Sequence, residues 1–206
     1  MAATQRRAIR HKQVTVVPVV NLQRTDEQIV AAIVSGKGAD FELLVRRHQG
    51  TVYNFLIRMV HDTEEALDLT QEVFLKVFCS LERFDPRFRF TTWMYRIASN
   101  AAIDHIRKRR PGMTVSLDAP LADDPCRVRE VAGVGPGPDE FLQARETQGH
   151  LEDALAALPS DYRQVLLLRH HGDRRYDEIA KITGLPIGTV KNRIFRAREM
   201  LKKAIS

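Results

Sequence analysis

The chain has 206 residues, 44% of them apolar, with 32 Lys/Arg against 26 Asp/Glu and a formal net charge of +6. That supports one or two packed domains. Two cysteines, Cys79 and Cys126, are too few for a disulfide framework, no apolar run approaches the roughly 20 residues that cross a bilayer, and the positive excess favours an anionic partner such as nucleic acid.

In chain order, residues 1–24 are basic and lack a helical period, which predicts a mobile basic tail. The apolar stretch from Val14 to Val20 is broken by Pro18 and has no small-residue cleavage site, so no secretory signal is expected. Thr25 followed by Gln28 predicts a capping box. Helical periodicity then runs through Ile29, Ile33 and Val34, through Phe41, Leu44 and Val45, and through Val52, Phe55, Leu56 and Met59. Asp62 with Glu65 predicts a second box, opening a helix whose apolar side holds Leu67, Val73, Phe74, Val77, Phe78 and Leu81. Pro86 breaks the pattern at FDPRFRF (84–90), and another helix is predicted from about Thr91 to Arg109.

Between residues 111 and 141 five prolines and four glycines predict a flexible linker, too long and polar for a connection inside one compact domain. Periodicity resumes near Phe141, Ser160 is placed to cap the helix DYRQVLLLRHH, and the chain closes on YDEIAKITGLPIGTVKNRIFRAREMLKKAIS (176–206). No segment alternates with period two. The expected fold is all-α: two small helical domains, 25–110 and 142–206, joined by a flexible linker.

The closing segment predicts a helix-turn-helix. Ala180 is small, as a close helix crossing needs, and Gly184 sits where the chain must turn and a left-handed conformation costs glycine little. Val190 then locks the second helix to the first. Stepping about 100° per residue puts Ile194, Ala197 and Leu201 beside Val190 as core. The opposite face carries Gly188, Lys191, Asn192, Phe195, Arg196 and Glu199, mostly polar with one aromatic; its Lys and Arg suit phosphates and guanine edges, its Asn an adenine and its Phe a thymine methyl in a major groove. Arg193 and Arg198 flank the core stripe and are expected to hold phosphate or acidic neighbours.

Charge is segregated along the chain. Residues 62–82 carry six acids against one lysine, residues 84–110 seven Lys/Arg against two acids, residues 111–150 seven acids against three arginines, and residues 174–206 nine Lys/Arg against three acids. Two basic blocks separated by an acidic one predict two contacts with one nucleic acid and a third contact elsewhere. In the first basic block Phe84, Phe88, Phe90, Trp93 and Tyr95 stand among arginines, the mixture that single-stranded nucleic acid uses for stacking and phosphate contact; core packing is the competing role for Trp93 and Phe90. On the acidic helix Asp68, Gln71 and Glu72 share one exposed face. The seven histidines are scattered without metal-ligand spacing, and no phosphate loop or nucleophile elbow occurs. Neither a catalytic site, a metal nor a cofactor is expected.

Four segments together, DLTQEVFLKVF (68–78), TTWMYRIASNAAIDHIRKR (91–109), LAALPSDYRQVLLLR (155–169) and YDEIAKITGLPIGTVKNRIFRAREML (176–201), resemble the bacterial extracytoplasmic-function sigma factors of the sigma-70 family. The resemblance implies a non-catalytic, promoter-specificity subunit of RNA polymerase, acting in the cytoplasm on a stress or envelope-response regulon. It implies that Asp68, Gln71 and Glu72 dock on the β′ clamp coiled coil of core polymerase, with further contact to the β subunit. It implies that Phe84, Arg87, Phe88, Arg89, Phe90, Trp93, Tyr95, Asn100 and Arg107 bind and open the −10 element, and that Gly188, Thr189, Lys191, Asn192, Phe195 and Arg196 read the −35 element. The acidic linker would thread toward the polymerase active-site cleft. An anti-sigma factor, often membrane-linked, is expected to restrain the chain and hold it near the inner membrane. Three positions and one segment depart from the family pattern: Leu67 where an acid commonly stands, Arg175 where Ser or Thr often caps (Asp173 being the substitute cap), Asn192 in place of a frequent Ser, and GKGAD (36–40), which lacks the common acidic turn residue. The competing reading, a stand-alone helix-turn-helix regulator, predicts a self-complementary apolar face in residues 25–80 and a palindromic duplex target. An enzyme with a DNA-binding tail is a distant third.

Overall fold

The computed structural model describes residues 24–36, 38–109, 151–170 and 174–205. The basic tail through residue 23, the linker 111–141, Cys126 and Asp173 lie outside the described residues. Every regular element within them is helical.

Helix α1 spans Asp26–Val34 and opens on the expected capping box: Thr25 Oγ1 accepts from the Gln28 amide at 3.3 Å, and Gln28 Oε1 accepts from the Thr25 amide at 3.0 Å. Arg24, expected to belong to the tail, is pinned instead, donating to Asp40 Oδ2 at 2.8 Å, while its carbonyl accepts from Arg47. After a 3-10 turn at Gly38–Asp40, α2 runs Phe41–Val60 and stops at His61, which adopts the left-handed conformation. Asp62 Oδ1 caps α3 (Thr63–Ser80) by accepting from the Glu65 amide at 3.1 Å. A 3-10 turn at Leu81–Arg83 and the loop 84–89 lead to α4 (Phe90–Arg109). Glu27, on α1, accepts from the Phe90 amide at 3.0 Å and so caps α4 across 63 residues of chain.

The core of this first domain follows the periodicity closely on α2, where Leu44, Val52, Phe55, Leu56 and Met59 are all buried. Helix α3 departs from expectation. Its buried side is Ala66, Leu69, Val73, Phe74 and Val77, whereas Leu67 and Phe78 are half exposed, at 49% and 50%. Leu69 rather than Leu67 lies in phase with Val73 and Val77 at about 100° per residue. Asp26 anchors α1 to α2: His48 Nε2 lies 2.7 Å and Arg47 Nη1 2.9 Å from its carboxylate, and the His48 hydrogen bond above all holds its pKa below the ordinary 3.8.

The second domain comprises helical residues 151–157 (α5), α6 (Ser160–His170), α7 (Tyr176–Thr183) and α8 (Ile187–Ile205). Leu155, Leu158, Tyr162, Leu166 and Ala197 form its own small core, with Leu201 packed on it. Ser160 does not cap α6. The Pro159 carbonyl accepts from the Tyr162 and Arg163 amides, so the helix begins one residue earlier in its bonding, and Ser160 Oγ is buried without a hydrogen-bond partner. Helix α7 is capped from one side only: Glu178 Oε2 accepts from the Arg175 amide at 3.0 Å, and an arginine side chain has no acceptor to return the bond. Gly184 ends α7 with φ 73°, its amide bonded to the Ala180 carbonyl at 2.8 Å. Because a Cβ there would meet no atom within 4 Å, only backbone strain opposes a side chain. Gly184→Ala is expected to lower stability by about 1–2 kcal/mol, measured by urea denaturation, without changing the helix content of the folded state.

The domains pack on one another. One continuous apolar core runs from Phe55, Met59, Phe90 and Met94 into Val165, Leu168, Ile179, Ile182, Val190 and Ile194. Helix α6 is consequently buried on every side from Ser160 to Leu168, polar residues included.

Candidate nucleic-acid interface

Helix α8 separates two chemistries by its periodicity. Val190, Ile194 and Ala197 are buried, as expected. Gly188 and Lys191 are exposed, Phe195 is 49% exposed, and Thr189, Asn192 and Arg196 are half-buried along the rim of the same outward face. Arg193, on the flank, pairs with Asp161 at 3.4 Å, both largely buried, so its neighbour is an acid of its own domain. The outward face presents two cations, an amide and an aromatic ring to solvent, a set able to hold phosphates and hydrogen-bond base edges.

The second candidate surface is split by burial. Phe84, Phe90 and Trp93 form a mutual aromatic cluster, with ring centroids 5.4–6.0 Å apart. Phe90 is fully buried and Phe84 nearly so, while Trp93 is half-buried. The loop above them exposes Arg87, Phe88 and Arg89. Arg87 is tied to Asp85 by a fork of bonds, Nε to Oδ2 at 2.9 Å and Nη2 to Oδ2 at 2.6 Å, which holds the Asp85 carboxyl below its usual pKa. Along α4, Trp93, Arg96, Asn100 and Arg107 fall within about 60° of one another, and the last three are exposed. Arg96 was not among the expected residues; its place on this face follows from spacing alone. Tyr95 points elsewhere, 2% exposed, with its ring edge-on to Phe55 at 5.6 Å.

The third surface is the outward side of α3. Asp68, Gln71 and Glu72 are exposed, Glu72 holding Lys76 at 2.6 Å. Between them runs an apolar strip that the periodicity did not announce: Leu67, Phe78 and Leu75, the last 65% exposed. The face is therefore amphipathic, a leucine strip edged by carboxylates, which suits a partner helix with apolar and basic residues. Among the described residues no cluster of His, Cys, Asp or Glu could hold a metal ion, and no helix is long and apolar enough to cross a membrane.

A helix-turn-helix domain with a basic outward face, packed beside a helical domain with a basic–aromatic loop and an acidic–apolar helix, defines a sigma-70-type transcription protein. The family model for sigma-70 region 2 matches residues 44–111, and that for sigma-70 region 4 matches residues 149–201. The chain is 34% identical over 187 residues to the RNA polymerase sigma-H factor of Pseudomonas aeruginosa, covering 89% of this chain and 95% of that one. It is 31% identical over 165 residues to the ECF RNA polymerase sigma factor SigW of Bacillus subtilis, covering 80% and 88%. Among solved structures its fold is similar to CnrH, solved in complex with the cytosolic domain of CnrY, at TM-score 0.62 and 24% identity over 86% of this chain and 95% of that one. It is also similar to the sigma factor RpoE of Bartonella quintana, solved with the anti-sigma factor NepR, at TM-score 0.58 and 24% identity over 81% and 96%. The chain belongs to the extracytoplasmic-function group of the sigma-70 family. It is an RNA polymerase sigma factor that directs promoter-specific initiation of transcription.

Proposed function

We propose that the three surfaces divide this work. The exposed face of α3, Asp68, Gln71 and Glu72 with Leu67 and Leu75, docks on the β′ clamp of core polymerase. The outward face of α8 reads the −35 element from the major groove through Lys191, Asn192, Phe195 and Arg196, with Gly188 and Thr189 leaving room for the backbone approach. The loop 84–89 and the outer side of α4 hold the single-stranded −10 element: Phe88 and Trp93 offer ring faces, Arg89, Asn100 and Arg107 offer polar contacts, and Phe84 and Phe90 support them from below. The observation that carries this division is that each surface is outward on a helix whose other side is in the core, so each can meet its partner without unfolding.

Energetics favour a linked mechanism. Extruding a base costs a few kcal/mol, and stacking returns about 1–3 kcal/mol per base. The two nearly cancel, so strand opening needs the domain held at the right position. Polymerase docking and the −35 contact supply that position. The protein carries no chemistry of its own in this scheme; bond formation belongs to the polymerase, and the protein acts in the cytoplasm. The Bartonella relative was solved with an anti-sigma factor, and restraint by a partner of that kind is part of the proposal here. A core-binding assay tests the docking assignment. Asp68→Ala is expected to lower affinity for core polymerase about fivefold to tenfold while leaving −35 duplex binding by the full chain unchanged, since a partly exposed charged contact is worth about 1 kcal/mol. Equal loss in both assays would overturn the division of labour.

A further inference from the structure

The chain enters the first domain at a fixed point. Arg24 donates to Asp40 Oδ2 at 2.8 Å, and its carbonyl accepts from Arg47 Nη1 at 2.9 Å. Asp40 is followed directly by Phe41, the first residue of α2, and the Phe41 ring meets the Phe78 ring edge-on with centroids 5.0 Å apart. Phe78 is the C-terminal end of the apolar strip on α3, with Leu75 and Leu67 beyond it toward the start of the helix, all three exposed. At about 100° per residue Leu67, Gln71, Leu75 and Phe78 fall within about 80° of one another, and Cys79 lies about 40° from Leu75. Cys79 is a free, exposed thiol. The 23 residues before Arg24 therefore join the domain beside one end of that strip.

Those residues match the strip in order as well as in kind. Nearest Arg24 stand Val14, Val16, Val17, Val19 and Val20 around Pro18. Proline bars a helix interior and β-branched valines favour extended chain. Extended chain advances about 3.3 Å per residue, which puts Val20 to Val14 about 13–33 Å of chain from Arg24. The strip from Phe78 to Leu67 is about 17 Å long at 1.5 Å per residue. Further from Arg24 come Lys12, Arg10, Arg7 and Arg6, with no acid in residues 1–23. At the far end of the strip Glu64 and Asp68 are exposed, with Glu72 exposed along its edge. Because the start of α2 meets the last turn of α3, a chain traced back from Arg24 reaches apolar surface first and carboxylates second.

We propose that Val14–Val20 of this chain dock on the Leu67–Leu75–Phe78 strip, with the basic residues 6–12 beside Glu64, Asp68 and Glu72. Contact removes apolar surface on both partners from water. The tether holds the valines at an effective concentration on the order of millimolar, so a weak contact is enough to fill the strip. The charge pairs are exposed and set the direction of the segment more than they stabilise it. The strip is also the surface assigned above to core polymerase, and on that reading the segment and the polymerase clamp compete for it.

The test uses the full chain with Cys126→Ser, which leaves Cys79 as the single thiol, and follows alkylation of Cys79 by iodoacetamide. The reaction is expected to be about tenfold slower than in the same chain carrying Val16→Ser, Val17→Ser and Val19→Ser, as occupancy of about nine-tenths requires. The three substitutions change no charge and lie outside residues 24–205, so both chains share one folded core. Equal rates in the two chains would overturn the proposal. Protection that is lost on dilution would also overturn it, placing a second copy of the chain on the strip instead. Affinity for core polymerase, measured on the same two chains, is expected to rise about tenfold in the triple variant. A triple variant that frees Cys79 without gaining polymerase affinity overturns the competition. In that case a loss of affinity in Asp68→Ala keeps the α3 docking reading and rejects the competition alone, whereas no loss in Asp68→Ala shows that the docking reading itself has failed.

Discussion

Arg163→Ala is expected to destabilise the chain by about 3–4 kcal/mol. Its guanidinium donates to four carbonyls: Leu155 at 2.9 Å, Ala156 at 2.6 Å, Leu158 at 2.8 Å and Met59 at 2.6 Å. The first three belong to the end of α5, whose last turn has no amides to accept from. The fourth closes the last turn of α2. One cation thus satisfies two helix C-termini, both electronegative. Hydrogen bonds to a charged group contribute about 1.5–3 kcal/mol each and do not add, and truncation would leave buried carbonyls without donors. A fall in melting temperature of about 10 °C is expected for a chain of this size. Arg163→Lys should recover little of it, because a single ammonium cannot span the fork. Calorimetry of the two variants checks this, and near wild-type stability in Arg163→Lys would show that charge rather than the fork matters.

The second large effect concerns recognition. Arg196→Ala is expected to reduce discrimination between a −35 site and mutated duplex by about 5- to 150-fold, the equivalent of one bidentate base contact of about 1–3 kcal/mol. Lys191→Ala should instead weaken binding to all duplexes alike and reduce its salt dependence, as loss of one phosphate contact does. Competition binding of the full chain across a set of single-base −35 variants, at two salt concentrations, separates the two behaviours. If Arg196→Ala lowered affinity uniformly, Arg196 would be a phosphate contact and the base readout would fall to Asn192 and Phe195. Both residues stand on the same outward face, Phe195 half exposed and Asn192 at its rim.

Local signals in the sequence were legible wherever one or two neighbours decide the outcome. Thr25 and Gln28 make their capping box because both partners lie within one turn. Gly184 is left-handed because the turn leaves no other choice. On α8 the Val190, Ile194 and Ala197 stripe is buried because the helix has one neighbouring layer on that side. Failures came where a distant element decides. Leu67 and Phe78 looked like core on α3, but Leu69 takes the inward position and leaves them half exposed. Ser160 looked like a cap, yet Pro159 supplies the first carbonyl. Phe84 and Phe90 could have faced solvent or core on composition alone, and the Glu27 cap on Phe90 draws that end of α4 against α1. The packing of the two domains on one another was invisible because its signal, Arg163 and Gln164 within an otherwise apolar helix, reads as an ordinary polar face until α2 and α4 cover it.

The division between docking, −35 reading and −10 opening is tested most directly by run-off transcription with core RNA polymerase on a library of promoter sequences, alongside binding of the same library by the isolated chain. Defined transcripts are expected only when polymerase and this protein are both present, from templates sharing paired upstream and downstream elements, while the isolated chain shows weak binding that depends on the upstream element alone. Tight, specific binding of complete promoters by the isolated chain, with no change when polymerase is added, would contradict it.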